Sequence, residues 1–353
     1  MLDDMEGKKF TVLAIDGGGT RGILPAKFLA QLEKDLDEKG IPGRIRDHVD
    51  LICGTSTGGI IALGLAQGIS AQELLDLYKK KAKTIFKYRP SLFLRAHYHN
   101  GHLEALLRKR FASSDGKDIR MKDLPCRVCI PAYDLLNATP RVFKATDHPL
   151  LTNDRHIPVY QVANATAAAP TYFKPYSSAY TDTRDGSEQQ FLLRVDGGVF
   201  ANNPALIGFV EAHRGLGIPL DQIRVLSIGT GQSTFCESGK AGLLGLLPKW
   251  WGIPYWMKKK RLIDLFMQAQ AQSTHYALQI LSGGVGEQKK EVFKYARVSI
   301  ELGPQLKLPL DAKHPNDLKA LEELGFRLYQ NYGKSTIEQF FDGRNYANYT
   351  PPQ

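Results

Sequence analysis

The sequence predicts an α/β chain in which a mainly parallel sheet is covered by helices on both faces. Three observations predict it. Short β-rich runs alternate with stretches whose apolar residues recur near every 3.6 positions, the order that builds parallel sheets. Three of those runs end in glycine-rich loops, at 16–19, 54–58 and 196–198, and open α/β sheets bind ligands at strand ends. The composition is that of an ordinary globular protein, with 43% hydrophobic and 23% charged residues over 353 positions, so disordered, collagen-like and coiled-coil readings fall away.

The elements follow in order. FTVLAI at 10–15 reads as a strand, and Ile23, Leu24, Phe28, Leu29 and Leu32 behind the DGGGT loop read as one face of a helix. VDLIC at 49–53 gives a second strand and residues 59–67 an apolar helix. Residues 51–72 carry no charge but hold five glycines together with Thr55, Ser56, Thr57 and Ser70. That is too polar for a span of roughly 20 apolar residues, and it reads as buried strand, tight turn and buried helix. Residues 71–86 form an amphipathic helix with a basic outer face, and 103–111 another. Strands follow at 127–133 and 141–146, then an Ala-rich helix at 160–169 stopped by Pro170, then strands at 191–196 and 224–229.

Lys and Arg outnumber Asp and Glu by 46 to 36, a net charge of +10. The excess favours anionic partners, either membrane surfaces or nucleic acid, without choosing between them. Four cysteines cannot make a disulfide scaffold and fit a reducing compartment. The start MLDDMEGKKFTVLAI lacks the apolar core and small-residue cleavage site of a secretory leader, so a cytoplasmic location is expected. Cys126 and Cys129, three apart on a strand, point to opposite faces and read as core thiols. His97, His99 and His102 read as a polar surface turn, and no metal or other cofactor is expected.

G-T-S-T-G at 54–58 follows a strand and precedes a helix. Small neighbours let a serine oxygen stand exposed on such a turn, and the helix N-terminus favours a developing oxyanion; Ser56 is the candidate nucleophile. In D-G-G-G-T-R-G at 16–22, Gly17, Gly18 and Gly19 expose backbone N–H groups, suited to an oxyanion hole or a phosphate cradle. Arg21 can meet a substrate phosphate or pair with a carboxylate. Asp196, at the head of D-G-G, can act as a base. None of the nine histidines sits in a comparable strand-end glycine loop, so a Ser–Asp dyad is expected. Burial would raise the weakly basic Asp toward neutrality.

These segments, in this order, resemble the patatin-like phospholipases, as do AAAPTYF at 167–173 and GGVFANNP at 197–204. The resemblance spans roughly 9–232. It implies a three-layer α/β/α sandwich and a lipid acyl hydrolase acting on membrane phospholipids. The 17–22 loop would then be the oxyanion hole, Ser56 the nucleophile and Asp196 the other half of a His-free dyad. Two other classes remain open: a sugar-kinase or actin-like phosphotransferase using the DGGGT loop as a hairpin, and a non-catalytic membrane or nucleotide sensor.

The chain is expected to divide into a catalytic domain at 9–232, a mobile aromatic and basic insert at 233–261 and a helical extension at 262–345 packed on the catalytic domain. Trp250, Trp251 and Trp256, with Lys258, Lys259 and Lys260, suit an anionic membrane interface and make peripheral membrane association the expectation. The length, the missing leader and the helical extension look similar to bacterial patatin-like effectors that a cyclic nucleotide switches on in antiviral defence. A cyclic-nucleotide activator and a homo-oligomer are therefore expected partners, and a specific nucleic acid is not.

Overall fold

The computed structural model describes residues 8–87, 96–146, 152–233, 261–284, 290–303, 306, 308–342 and 349. Strand β1 (Phe10–Ile15) is buried along its whole length and runs into a short 3-10 turn and then helix α1 (Ile23–Glu38). The DGGGT loop thus leads into a helix. A phosphotransferase hairpin would need a second strand there, so that alternative is lost.

Strand β2 (Leu51–Gly54), helix α2 (Thr57–Gln67) and helix α3 (Ala71–Ile85) follow. The start of α3 is fixed by a capping box, in which Ser70 Oγ accepts from the Glu73 N–H. Next come α4 (Asn100–Arg110), β3 (Arg127–Asp134), β4 (Thr139–Ala145), α5 (Val159–Ala167), β5 (Tyr176–Thr181) and β6 (Glu188–Asp196). Two short helices, α6 (Gly198–Ala201) and α7 (Ala205–Val210), lead to β7 (Ile223–Ile228) and β8 (Gln232–Ser233). The C-terminal part holds α8 (Arg261–Leu281), β9 (Lys294–Val298), β10 (Glu301–Leu302) and α9 (Pro315–Phe340).

The main sheet runs β5-β6-β3-β2-β1-β7-β9, with β4 also paired to β3. Pairs β1–β2, β1–β7, β2–β3 and β7–β9 are parallel, and β3–β4, β3–β6 and β5–β6 antiparallel. Alternation along β1 divides the core in two. Leu13 and Ile15 face α1, α3 and α9, while Phe10, Val12 and Ala14 pack with Cys53, Cys129, Ala205 and Phe209 on the other face. This is the expected three-layer sandwich. Within 51–72 lie β2, a turn and α2, buried from Leu51 to Ala66, and then the start of α3, where Gln72 is exposed. Among the described residues no helix is long and apolar enough to cross a membrane.

Two features depart from the sequence reading. Strand β6 runs against β3, pairing only with its far end (Ala132 opposite Asp196, Asp134 opposite Arg194). Because β3 overshoots β2, a strand returning from outside still delivers Asp196 to the edge where β1 and β2 end. The stretch expected as a helical extension also contributes β9, which pairs in parallel with β7 over Arg224–Ile228. KYARV has no period-two alternation, since Lys294 and Arg297 are three apart and fall on opposite faces. A run this short, without a face pattern, does not stand out between two long helices.

Candidate active site

The turn between β2 and α2 holds Ser56 at φ 55° and ψ −123°, a conformation that non-glycine residues rarely adopt. Holding it costs about 1–3 kcal/mol and requires a surrounding structure that over-determines it. Here the Ser56 N–H donates to Thr166 Oγ1 at 3.0 Å, and that hydroxyl donates to the Pro131 carbonyl at 2.6 Å. Thr55 is tied by its N–H to the Ile15 carbonyl (3.2 Å) and by Oγ1 to the Ala201 carbonyl (2.6 Å). A β-carbon at position 58 would lie 2.2 Å from the Ile15 carbonyl oxygen, so only glycine lets α2 start this close to β1.

Asp196 lies at the end of β6 and is 3% exposed. Burial pushes its carboxyl up to about 7, against the pull of the Ser56 hydroxyl and the Gly198 N–H, which favour the charged form. Oδ1 accepts from Gly198 N at 2.7 Å, and the backbone is pinned through Asp196 N to the Ala168 carbonyl (3.1 Å). Oδ2 has no well-aligned partner among the described residues. A carboxyl raised toward neutrality thus stands against the serine hydroxyl with one oxygen uncommitted.

The glycine loop completes the constellation with one change from expectation. Gly17 N–H is taken by the Asn202 carbonyl (3.0 Å) and its own carbonyl by Thr230 Oγ1 (2.7 Å), so Gly17 is not a free donor. The N–H groups of Gly18 and Gly19 have no hydrogen-bond partner among the described residues. Gly19 sits at φ +55°, and a β-carbon there would be 2.1 Å from the Leu310 carbonyl oxygen. Thr20 N and Oγ1 both donate to that carbonyl, at 2.7 and 3.0 Å. Arg21 is also placed differently from the expected phosphate contact. It is 8% exposed, and its Nε donates to the Leu308 carbonyl (2.9 Å). Burial lowers its pKa.

Ser56, Asp196 and Gly19 border one narrow apolar cavity, partly open to solvent. Its walls are Tyr78, Ile85 and Phe86 around α3, Leu103 from α4, Tyr172 and Phe173 after α5, and Ile263 and Met267 from α8. Such a slot accepts an alkyl chain and excludes water from the reacting carbonyl. Sequence reasoning missed Thr166 and Thr230, and the contact made by Asn202 within GGVFANNP; each acts through a partner distant in the chain. Trp250, Trp251, Trp256, Lys258, Lys259 and Lys260 lie outside the described residues. Cys126 and Cys129 are buried in the two different faces of the core, as their spacing predicts. Among the described residues no cluster of His, Cys, Asp and Glu could hold a metal ion.

The family model described as patatin-like phospholipase matches residues 13–209. The chain is 36% identical over 287 residues to a cGAMP-activated phospholipase of Vibrio cholerae, covering 76% of each protein. It is 37% identical over 272 residues to a cGAMP-activated phospholipase of Escherichia coli, covering 73% of this chain and 72% of that one. Among solved structures, VipD from Legionella pneumophila aligns over 93% of this chain and 67% of its own, with a TM-score of 0.48 and 11% identity.

Proposed function

This chain belongs to the patatin-like phospholipase family and is a lipid acyl hydrolase, and we propose that it cleaves phospholipid esters with Ser56 as nucleophile and Asp196 as base. The observation that carries the assignment is the Asp196 carboxyl, raised to about 7, lying against a strained serine at the mouth of an apolar slot. A base poised near the working pH is the one that transfers protons best.

Asp196 takes the hydroxyl proton as Ser56 Oγ attacks the ester carbonyl. The oxyanion forms against the free N–H groups of Gly18 and Gly19; each such donor is commonly worth about 3–4 kcal/mol of barrier. The protonated Asp196 then gives its proton to the departing lysolipid or alcohol oxygen. Water, deprotonated in turn by Asp196, releases the fatty acid from the acyl-enzyme. Residues 9–232 carry this chemistry, and 262–345 brace it. Relatives named as cGAMP-activated support an anionic cyclic nucleotide as activator, in a defence role, with the enzyme meeting the membrane peripherally through the 249–261 segment. Ser56→Ala and Asp196→Asn are each expected to abolish fatty-acid release from phospholipid vesicles while far-UV circular dichroism stays unchanged. Full release by a folded Ser56→Ala protein refutes the mechanism.

A further inference from the structure

The family match ends at residue 209, yet the loop carrying Gly18 and Gly19 is held from behind by a strand far beyond that point. Asp16 closes β1 and directly precedes the glycines. Its carboxylate takes a bidentate pair of hydrogen bonds from Arg297 on β9, Nη1 to Oδ1 at 2.8 Å and Nη2 to Oδ2. Arg297 Nη1 also donates to Ser227 Oγ at 2.7 Å, and Ser227 donates to Asn203 Oδ1 at 3.2 Å. The neighbouring Asn202 carbonyl is the one that takes the Gly17 N–H. The Arg297 and Asp16 side chains are 6% and 4% exposed.

We propose that Arg297 is a positioning residue for ester hydrolysis: it fixes the Asp16 end of the glycine loop and cancels the Asp16 charge beside the place where the oxyanion forms. The proposal rests on the Ser56 reading above. A buried ion pair is often no more stabilising than apolar residues of the same volume, so stability alone is a poor reason for two charges here. Proximity to the glycine N–H groups supplies a better one. A bare carboxylate next to a developing oxyanion in a water-poor site opposes the reaction, and a guanidinium clamping it from the far side removes that opposition. The planar fork also sets direction, which a lysine ammonium cannot do.

Other titratable groups surround the pair. Tyr295 stands beside Asp16 on β9, Arg21 and Asp264 border the same polar cavity, and His275 on α8 faces Arg297. Burial pushes the Asp16 carboxyl up, and Arg297 pulls it back down. Without Arg297 the downward pull is lost, so Asp16 would bind its proton more tightly than in the wild type and, where it does ionise as the pH rises, would place an uncompensated charge at the loop.

The test measures two quantities against pH: the rate of fluorophosphonate labelling at Ser56, and kcat and KM on a short-chain p-nitrophenyl ester. Arg297→Met should lower kcat and the labelling rate at least about tenfold with KM moved less than about threefold, and should add a fall in rate on the alkaline side. Arg297→Lys, which keeps the charge without the fork, should lose rate without the alkaline fall. Asp16→Asn combined with Arg297→Met should stay slow but lose the alkaline fall, since titration of His275 or Tyr295 would persist in it. This neutral pair also decides the matter where the single variant fails to fold. Folded variants with wild-type kcat overturn the proposal, as does a loss that tracks only the fraction of folded protein. Labelling of the wild type at Ser56 with an unchanged rate in the variants removes the Arg297 role alone, whereas a wild type unlabelled at Ser56 removes the Ser56 reading with it.

Discussion

Replacing Asp196 by Asn should destroy activity and yet stabilise the protein at alkaline pH. The carboxyl is fully enclosed and its pKa is raised from 3.8 to about 7, with burial as the cause. A raised acid binds a proton more tightly in the folded than in the unfolded chain. Between the two pKa values the folded state therefore holds more protons, and stability falls as the pH rises. Ionising the buried carboxyl fully costs the fold at most about 4 kcal/mol. Asparagine has the same shape and never ionises. Its advantage over aspartate should therefore grow by about 2–3 kcal/mol between pH 5 and pH 8. Urea unfolding of both proteins at the two pH values measures this directly. The same ionisation should make wild-type kcat/KM rise about tenfold between pH 6 and pH 8, since the reactive carboxylate goes from about one-tenth to about nine-tenths populated. A stability difference that does not change with pH, or a flat rate profile over this range, would refute the claim that Asp196 is a buried, perturbed base.

Thr166→Val removes the acceptor of the Ser56 N–H and the hydroxyl donated to the Pro131 carbonyl; a stability loss of about 1–3 kcal/mol in urea and a kcat at least about tenfold lower are expected. Gly19→Ala forces a β-carbon into the Leu310 carbonyl oxygen at a positive φ, so fluorophosphonate labelling of Ser56 should slow at least about a hundredfold. Leu103→Phe fills the apolar slot from α4, and the ratio of kcat/KM on butyrate over palmitate esters should rise about tenfold.

The catalytic candidates are legible because their grammar is local. A serine between glycines at a strand–helix junction, and an aspartate before two glycines, announce turns that only small residues allow, and the structure places both at one cavity. What stays hidden is decided across the chain. Gly17, Gly18 and Gly19 look alike in sequence; Asn202 takes the N–H of the first and leaves the other two free. In sequence Arg21 can meet a substrate phosphate or pair with a carboxylate; in the fold its Nε donates to the Leu308 carbonyl. The reversal of β6 was available in part, since Asp182, Asp185 and Gly186 between β5 and β6 are hairpin residues. The Ser-rich YSSAYT of β5, however, is too polar to read as a strand. Arg297 carries no motif at all, and its partner becomes evident only when β9 lies beside β7.

An oxyanion hole requires donors that are unpartnered and also immobile, and glycine is the residue least able to hold still unaided. The loop at 16–22 meets both demands by tying nearly everything except the two working N–H groups. Asp16 N is fixed to the Ile228 carbonyl, Gly17 at both its N–H and its carbonyl, Thr20 to the Leu310 carbonyl and Arg21 to the Leu308 carbonyl. Of these anchors, Ile228, Thr230, Leu308 and Leu310 lie beyond the segment that the family model matches, as does the Arg297 that holds the Asp16 side chain. The nucleophile and base are thus encoded within the matched stretch, whereas the rigidity of the electrostatic site comes largely from the residues that follow it. An effector acting on α8, β9 or the loop at 308–310 would therefore reach the oxyanion donors through bonds already in place, without having to move Ser56 or Asp196.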